Sequence, residues 1–157
     1  MTENEALRRY FRHHYQELVP FHRLCGITIT RWDPEGVTFE LPFRHDISSH
    51  PALFHGGVMS TLIDTAGCGA VLAGHDFSRG TLIATVGLNV QYLGSAPNEP
   101  AVADAVCVRR GAISFSEVHV RSGESGALLA SGTVTAKSSG RRSDDDEVRQ
   151  RALDLFG

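Results

Sequence analysis

The chain has 157 residues, a formal net charge of −3 and 41% hydrophobic residues. This length suits one domain with an adequate core, and the composition excludes a disordered or fibrous chain. The slightly acidic balance argues against a nucleic-acid-binding protein. Cys25, Cys68 and Cys107 form no C-x-x-C pair, so neither a disulfide framework nor a zinc ribbon is expected. Since the N-terminus lacks the basic-then-apolar order of a leader, we expect a cytoplasmic protein.

The first predicted element is a helix over residues 1–20, where apolar residues recur at helical spacing and Pro20 ends the helix. Two short β-prone runs follow at 27–32 and 37–43. The turn at 33–36 separates them, which predicts a hairpin. A turn-rich loop over 45–53 then leads into the most apolar segment of the chain.

That segment, at 56–74, is close to the length of a membrane span, but Asp64 lies at its middle. A helix that is apolar on nearly every side in a globular protein is a buried helix. We therefore predict a central helix and no membrane association. Gly67, Gly69 and Ala70 would let a sheet approach this helix closely.

The remaining predicted elements are strands. Residues 81–93 alternate between apolar and small or polar side chains, with the period of a half-buried strand. Three more strands, at 101–109, 113–121 and 128–137, are joined by Gly-containing hairpin turns. We expect these four strands to form a meander.

This order predicts an α+β protein in which one antiparallel sheet wraps around one long central helix, the hotdog arrangement, with an additional N-terminal helix. The predicted organisation is an N-terminal helix at 1–20, a hotdog domain at 21–137 and a polar, partly helical C-terminal tail at 138–157. The tail contains Val148, Ala152, Leu155 and Phe156 at helical spacing. These side chains would contact a partner surface if the tail has any function.

Common catalytic motifs are absent. The sequence contains no P-loop, no dinucleotide fingerprint, no G-x-S-x-G elbow and no H-E-x-x-H pair. We therefore expect neither a metal nor a cofactor. What remains is His55-Gly56-Gly57 at the predicted start of the central helix, with Asp64 nine positions after the histidine.

The residue types of this group suit carbonyl chemistry. A helix N-terminus has unpaired N–H groups, so the Gly56 amide can bind an oxyanion. Asp64 lies two turns further along an apolar helix. Its residue type and position fit a catalytic carboxylate directed toward a cleft and a structural carboxylate with a buried partner equally well.

The motif His-Gly-Gly-x6-Asp resembles the phenylacetate-degradation (PaaI-type) branch of the hotdog-fold acyl-CoA thioesterases. The run at 85–96, TVGLNVQYLGSA, is similar to the strand that follows the helix in that family. The resemblance covers residues 21–137. It implies that Asp64 acts as nucleophile or general base, that the Gly56 amide polarises the thioester carbonyl, and that His55 orients the motif. Thr85 stands where relatives place a hydroxyl that holds the attacking water.

The resemblance also implies substrate contacts by Gly57 and Asn89. One position departs from the pattern, because relatives carry Asn or Gln six residues before the motif histidine and this chain has Ser49. Ser49, through a water, or the neighbouring His50 would have to contact the thioester instead.

The spacing of the motif predicts how the site is assembled. Gly56 and Asp64 are eight residues apart, which is about 12 Å along a helix. Groups that act on one carbonyl must lie about 3 Å from it, so the two residues would come from different chains. We therefore expect a homodimer, and by resemblance a dimer of dimers, that hydrolyses acyl-CoA. The alternative is a hotdog protein that binds acyl-CoA without turnover, as a sensor or carrier.

Overall fold

The computed structural model describes residues 1–157. Its helices are α1 (Glu3–His13), α2 (Pro20–Cys25), α3 (Gly56–Ala73) and α4 (Asp145–Phe156). Its strands are β1 (Thr28–Asp33), β2 (Gly36–Leu41), β3 (Ser48–His50), β4 (Leu53–Phe54), β5 (Ile83–Tyr92), β6 (Ala101–Arg109), β7 (Ile113–Ser122) and β8 (Leu128–Ser138).

Six strands form one antiparallel sheet in the order β1-β2-β6-β7-β8-β5, and α3 packs across its inner face. This is the predicted hotdog arrangement. The small residues act as expected, because a Cβ on Gly67 would lie 2.3 Å from Cγ2 of Val134. By length and composition α3 could cross a membrane, but 67% of it is buried inside the protein.

The predicted four-strand meander is wrong in one respect. Strands β6, β7 and β8 do form a meander, but β5 pairs with β8 and forms the sheet edge. The chain leaves α3 beyond that edge, and residues 93–100 carry it back across the sheet to the inner position beside β2. One long edge of β5 is consequently unpaired.

The N-terminal helix differs from its prediction at Pro20. A capping box between Thr2 and Glu5 starts α1, which ends at His13 and continues as a π-helical turn to Leu18. Pro20 does not end this helix but occupies the first turn of α2, where its missing N–H costs nothing. The predicted loop at 45–53 contains the short β3–β4 hairpin.

The C-terminal helix α4 packs on α1 of its own chain, where Ala152 is fully buried. Arg149 forms a salt bridge of 2.7 Å with Glu3, and the buried carboxylate of Asp145 accepts a hydrogen bond of 2.5 Å from the Thr81 hydroxyl. The apolar side of the tail thus contacts this chain itself, and of the four predicted contact residues only Leu155 is exposed.

Candidate active site

The first turn of α3 is capped by the histidine that precedes it. His55 has extended backbone angles, as an N-cap residue requires. Its Nδ1 accepts a hydrogen bond of 2.8 Å from the Gly57 N–H, so the proton of the neutral ring is on Nε2. A Cβ on Gly57 would lie 2.9 Å from His55 Nδ1. Glycine at this position therefore allows the imidazole to fold over the helix terminus.

This cap leaves one amide free. The N–H groups of Val58 and Met59 both donate to the His55 carbonyl, and the Gly57 N–H donates to the His55 ring. The Gly56 N–H is then the one donor of the first turn that neither the helix nor its cap satisfies. At the positive end of an 18-residue helix, it is placed to bind a carbonyl oxygen that gains negative charge.

An apolar cavity of about 240 Å³ opens beside Gly56. Its walls come from β4, the start of α3, the end of β5, the segment that follows β5 and the start of β8. They include Phe54, Met59, Tyr92 and Leu129. A cavity of this size and lining is suited to a small apolar group attached to a polar centre.

Tyr92 is a site residue whose function the sequence did not reveal. The Tyr92 hydroxyl donates a hydrogen bond of 2.9 Å to the Gly56 carbonyl. The Ser60 hydroxyl lies 2.7 Å from the Tyr92 hydroxyl oxygen. These bonds connect the end of β5 to the start of α3. In the sequence, Tyr92 is visible only as the aromatic residue of the 85–96 run. The residues that its hydroxyl contacts lie more than 30 positions before it, so the sequence did not reveal these contacts.

The structure brings the side chains of Asp64 and Thr85 into direct contact. The Thr85 hydroxyl donates a hydrogen bond of 2.6 Å to Oδ1 of Asp64. A β-bulge at Val86 makes this contact possible, because the pairing shifts between Thr85 and Gly87. Thr85 therefore shares the inner face with Leu88, whereas strict alternation would place the two on opposite faces.

Asp64 itself is half-buried, and most of its neighbours on α3 are buried. Burial, reinforced by the Asp64 charge, raises the pKa of Cys68 to about 11, although its hydrogen bond to Thr85 opposes this shift. Burial is also the main reason that the pKa of Tyr15 lies well above its usual value. Burial lowers the pKa of His22, whose Nε2 is 3.1 Å from the Thr65 hydroxyl. No group of three or more His, Cys, Asp or Glu side chains is placed to hold a metal ion.

Several predicted substrate contacts are not brought to this site within one chain. Asn89 pairs with Thr133 on the outer face of the sheet, opposite to α3. Ser49 and His50 lie exposed on β3 and do not line the Gly56 cavity. Phe115 of β7 also lies on the outer face of the sheet, because it alternates along the strand with the buried side chains.

Three of the four arginines at 109, 110, 141 and 142 are engaged in contacts within the chain. Arg110 donates to the carbonyls of Pro34 and Ala70. Arg141 and Arg142 form salt bridges with acidic residues at the start of α4. Arg109 alone has no such partner.

Gly56 and Asp64 lie on the same regular helix, which separates them by about 12 Å along its axis. Asp64 contacts the edge strand β5, whereas Gly56 opens into the cavity at the helix start. One chain therefore holds the two groups apart, an unpaired amide beside a cavity and a carboxylate at an open sheet edge.

Residues 52–129 match the family model described as the thioesterase superfamily. A curated protein of Halobacterium salinarum, named as an esterase, is 31% identical over 99 residues, which are 60% of this chain and 65% of that protein's length.

Two solved structures illustrate the fold. One is a Shewanella oneidensis protein related to the thioesterase superfamily, with a TM-score of 0.74 and 24% identity over 87% of this chain and 97% of that chain. The other is a hypothetical thioesterase protein of Streptococcus pneumoniae with coenzyme A, with a TM-score of 0.64 and 19% identity over 74% of this chain and 88% of that chain.

The segment that matches the family model begins just before the first turn of α3 and contains both Gly56 and Asp64. This match, together with the sheet wrapped around α3, shows that the chain is similar to the thioesterase superfamily over this segment.

Proposed function

We propose that the protein hydrolyses an acyl-CoA thioester to the free acid and coenzyme A, at a site formed by two copies of the chain. The observation that carries this proposal is the Asp64 carboxylate, held at Oδ1 by Thr85 at the open edge of the sheet. Its second oxygen, Oδ2, is left for the reaction. The similarity to the thioesterase superfamily supports thioester hydrolysis in general, and the coenzyme A in the Streptococcus pneumoniae structure supports the leaving group.

A dimer through β5 would complete the site. This edge has no partner over ten residues, and Val86, Leu88 and Tyr92 on it are 58%, 43% and 58% exposed. An open apolar edge strand is a template for pairing with a second chain. Pairing with the β5 of a second copy would place the two α3 helices side by side. Asp64 of one chain could then approach Gly56 of the other.

In the proposed mechanism the thioester carbonyl accepts a hydrogen bond from the Gly56 N–H of one chain, and the acyl group occupies the cavity beside it. Asp64 of the other chain either attacks the carbonyl carbon itself or removes a proton from a water near Thr85 that attacks this carbon. The Gly56 amide stabilises the oxyanion in both routes. The C–S bond then breaks and the thiolate of coenzyme A leaves, which gives the free acid directly in the water route and an anhydride on Asp64 in the other route. A second step then hydrolyses the anhydride with water to the free acid and the Asp64 carboxylate. In either route the proton released from water is taken up by the thiolate.

A dimer of dimers would follow from a second exposed surface. The outer face of the sheet carries the apolar side chains of Val106, Ile113 and Phe115, which are 49%, 39% and 38% exposed. Their burial against another dimer would remove an apolar patch that single domains seldom leave open. A cytoplasmic location stays a prediction.

A panel of acyl-CoA thioesters tests the function directly. We expect turnover of at least one small apolar or aromatic acyl-CoA, and a loss of about 10²–10⁴-fold in kcat for Asp64→Asn. Asp104→Asn, on the outer side of β6, is the matched control and should retain full activity. Saturable binding of every thioester without release of thiol would contradict the proposal and favour the acyl-CoA-binding alternative.

A further inference from the structure

A second cavity lies at the end of α3 opposite to Gly56. It has a volume of about 380 Å³ and is lined by one face of α1, the end of β1, the turn that follows β1 and Ala73 at the end of α3. Asp64 lies nine residues before Ala73, which is about 14 Å along the helix. Neither Asp64 nor Thr85 lines this cavity, so the cavity does not belong to their site.

This cavity carries unbalanced positive charge. Arg8, Arg9 and Arg12 line it, and none has a carboxylate within salt-bridge distance. Its two acidic residues are already engaged, since Glu5 accepts from Thr2 and Asp33 accepts from Arg31. Guanidinium groups one helical turn apart repel each other. An anion bound between them would remove this repulsion.

Two hydrogen-bond donors at the same cavity lack acceptors. Arg8 Nε and Trp32 Nε1 are buried and have no partner. More than nine in ten buried polar atoms in native proteins are paired, so two exceptions among the residues that line one cavity require an explanation. The indole of Trp32, together with Pro34 and Ala73, supplies an apolar wall beside the arginines.

We propose that this cavity binds a nucleotide, with its phosphates on the α1 arginines and its base against Trp32. Arginine recognises phosphate through charge-assisted, often bidentate hydrogen bonds, and an aromatic plane stacks on a base irrespective of sequence. The nucleotide can be free in solution or can be the nucleotide half of coenzyme A. In either case it binds away from the Asp64 carboxylate.

Trp32 is the single tryptophan of the chain, so its fluorescence reports this cavity alone. Titration of the intact protein with ADP should give a saturable change, and Arg8→Gln with Arg12→Gln should weaken binding about tenfold or more. Arg23→Gln, an exposed arginine on α2 without a salt bridge, is the matched control. If coenzyme A competes with ADP, the nucleotide that the cavity binds is that of the substrate. If coenzyme A does not compete, the ligand is a free nucleotide. No saturable change, or equal affinity in the double variant, would overturn the proposal.

A separate contact concerns the reaction itself. Sγ of Cys68 lies 3.1 Å from the Thr85 hydroxyl oxygen, one helical turn beyond Asp64 on α3. Thr85 has one hydroxyl proton, which it donates to Oδ1 of Asp64 in a hydrogen bond of 2.6 Å. Cys68 must therefore donate its S–H to Thr85. The order of donation is Cys68 to Thr85 to Asp64.

We infer that Cys68 is a positioning residue, which fixes the Thr85 hydroxyl so that its proton points at Asp64. This inference rests on the proposed function. A donor behind a hydroxyl also strengthens the hydrogen bond that the hydroxyl itself makes. Burial that raises the pKa of Cys68 to about 11 keeps the thiol protonated, as donation requires.

The separate effects on kcat and KM, together with rescue by a conservative variant, distinguish positioning from simple packing. Cys68→Ala should lower kcat about threefold to tenfold and leave KM unchanged. Cys68→Ser keeps a donor and should restore the wild-type kcat. Cys25→Ala, which changes another buried cysteine without a hydrogen bond, is the control and should leave kcat unchanged. Turnover by the wild type with an unchanged kcat in Cys68→Ala would overturn this inference alone, whereas an inactive wild type would overturn the proposed function.

Discussion

The hydroxyl of Tyr92 donates a hydrogen bond of 2.9 Å to the carbonyl of Gly56. It thereby joins the last residue of the edge strand β5 to the first residue of the central helix. The Ser60 hydroxyl, one turn into that helix, lies 2.7 Å from the same phenol oxygen. The amide that we assign to the oxyanion is thus held in place by a side chain that needs no role in the chemistry.

The first prediction follows from this contact. Tyr92→Phe removes the hydroxyl and leaves the ring, so the Gly56 amide should become less well positioned. We expect kcat/KM to fall about tenfold, the effect of losing one or two hydrogen bonds of roughly 1 kcal/mol each. Tyr10→Phe, a buried tyrosine whose hydroxyl makes no hydrogen bond within the chain, should match the wild type. Unchanged kinetics in Tyr92→Phe would contradict the positioning role.

A second prediction concerns the contact between helix and sheet. A Cβ on Gly67 would lie 2.3 Å from Cγ2 of Val134. Overpacking of this kind costs about 1–3 kcal/mol and exceeds the helix-propensity gain of roughly 1 kcal/mol from Gly to Ala. Gly67→Ala should therefore lower the Tm, and a second change, Val134→Ala, should recover part of the loss. At Gly111 the added Cβ lies 3.5 Å from its nearest neighbour, so Gly111→Ala should leave the Tm nearly unchanged. A more stable Gly67→Ala would disprove the close approach.

The sequence predicted those parts of the fold that local patterns determine. The turns, the apolar helix and the period-two strands are local properties, and the separation of Gly56 and Asp64 follows from helix geometry alone. The position of β5 at the sheet edge was not predictable, because pairing partners depend on the path of the chain after α3. The bulge at Val86 was also not predictable from the sequence. It turns Thr85 to the face of the sheet on which Asp64 lies.

The third prediction is a pH dependence of stability. Burial is the main cause that lowers the pKa of His22 and of His75 below the usual 6.5. Between the folded and unfolded pKa values the unfolded chain binds more protons, so a fall in pH favours unfolding. The contribution of the two neutral histidines to the free energy of unfolding is complete above pH 6.5. It is lost as the pH falls through their pKa values in the folded state. Thermal denaturation should give a decreasing Tm between pH 7.5 and 5.5.

A matched pair of variants assigns this effect. His22→Gln should flatten the dependence of Tm on pH, since glutamine has no proton to gain. His119→Gln, on the exposed outer face of β7, should leave the slope as in the wild type. An identical slope in both variants would show that burial of His22 does not contribute.

The last prediction tests whether two chains share each active site. Asp64→Asn removes the carboxylate, and Gly56→Pro removes the N–H proposed for the oxyanion. Proline suits the first helical position, and His55 already has the extended backbone that a residue before proline requires. Each variant alone should be nearly inactive. The two variants are unfolded, mixed and refolded together. Random pairing should then make about half of the dimers mixed, which mass measurement can verify.

In a mixed dimer, one site takes its amide from the Asp64→Asn chain and its carboxylate from the Gly56→Pro chain, so that site is intact. The other site carries both lesions. Since half of the dimers are mixed and each has one working site of two, activity should return to about a quarter of the wild-type value, as the additive behaviour of separate sites requires. Recovery cannot occur if amide and carboxylate act within one chain, because every chain in the mixture then lacks one of them. Verified mixed dimers without activity would therefore place both groups on the same chain or remove one of them from the reaction.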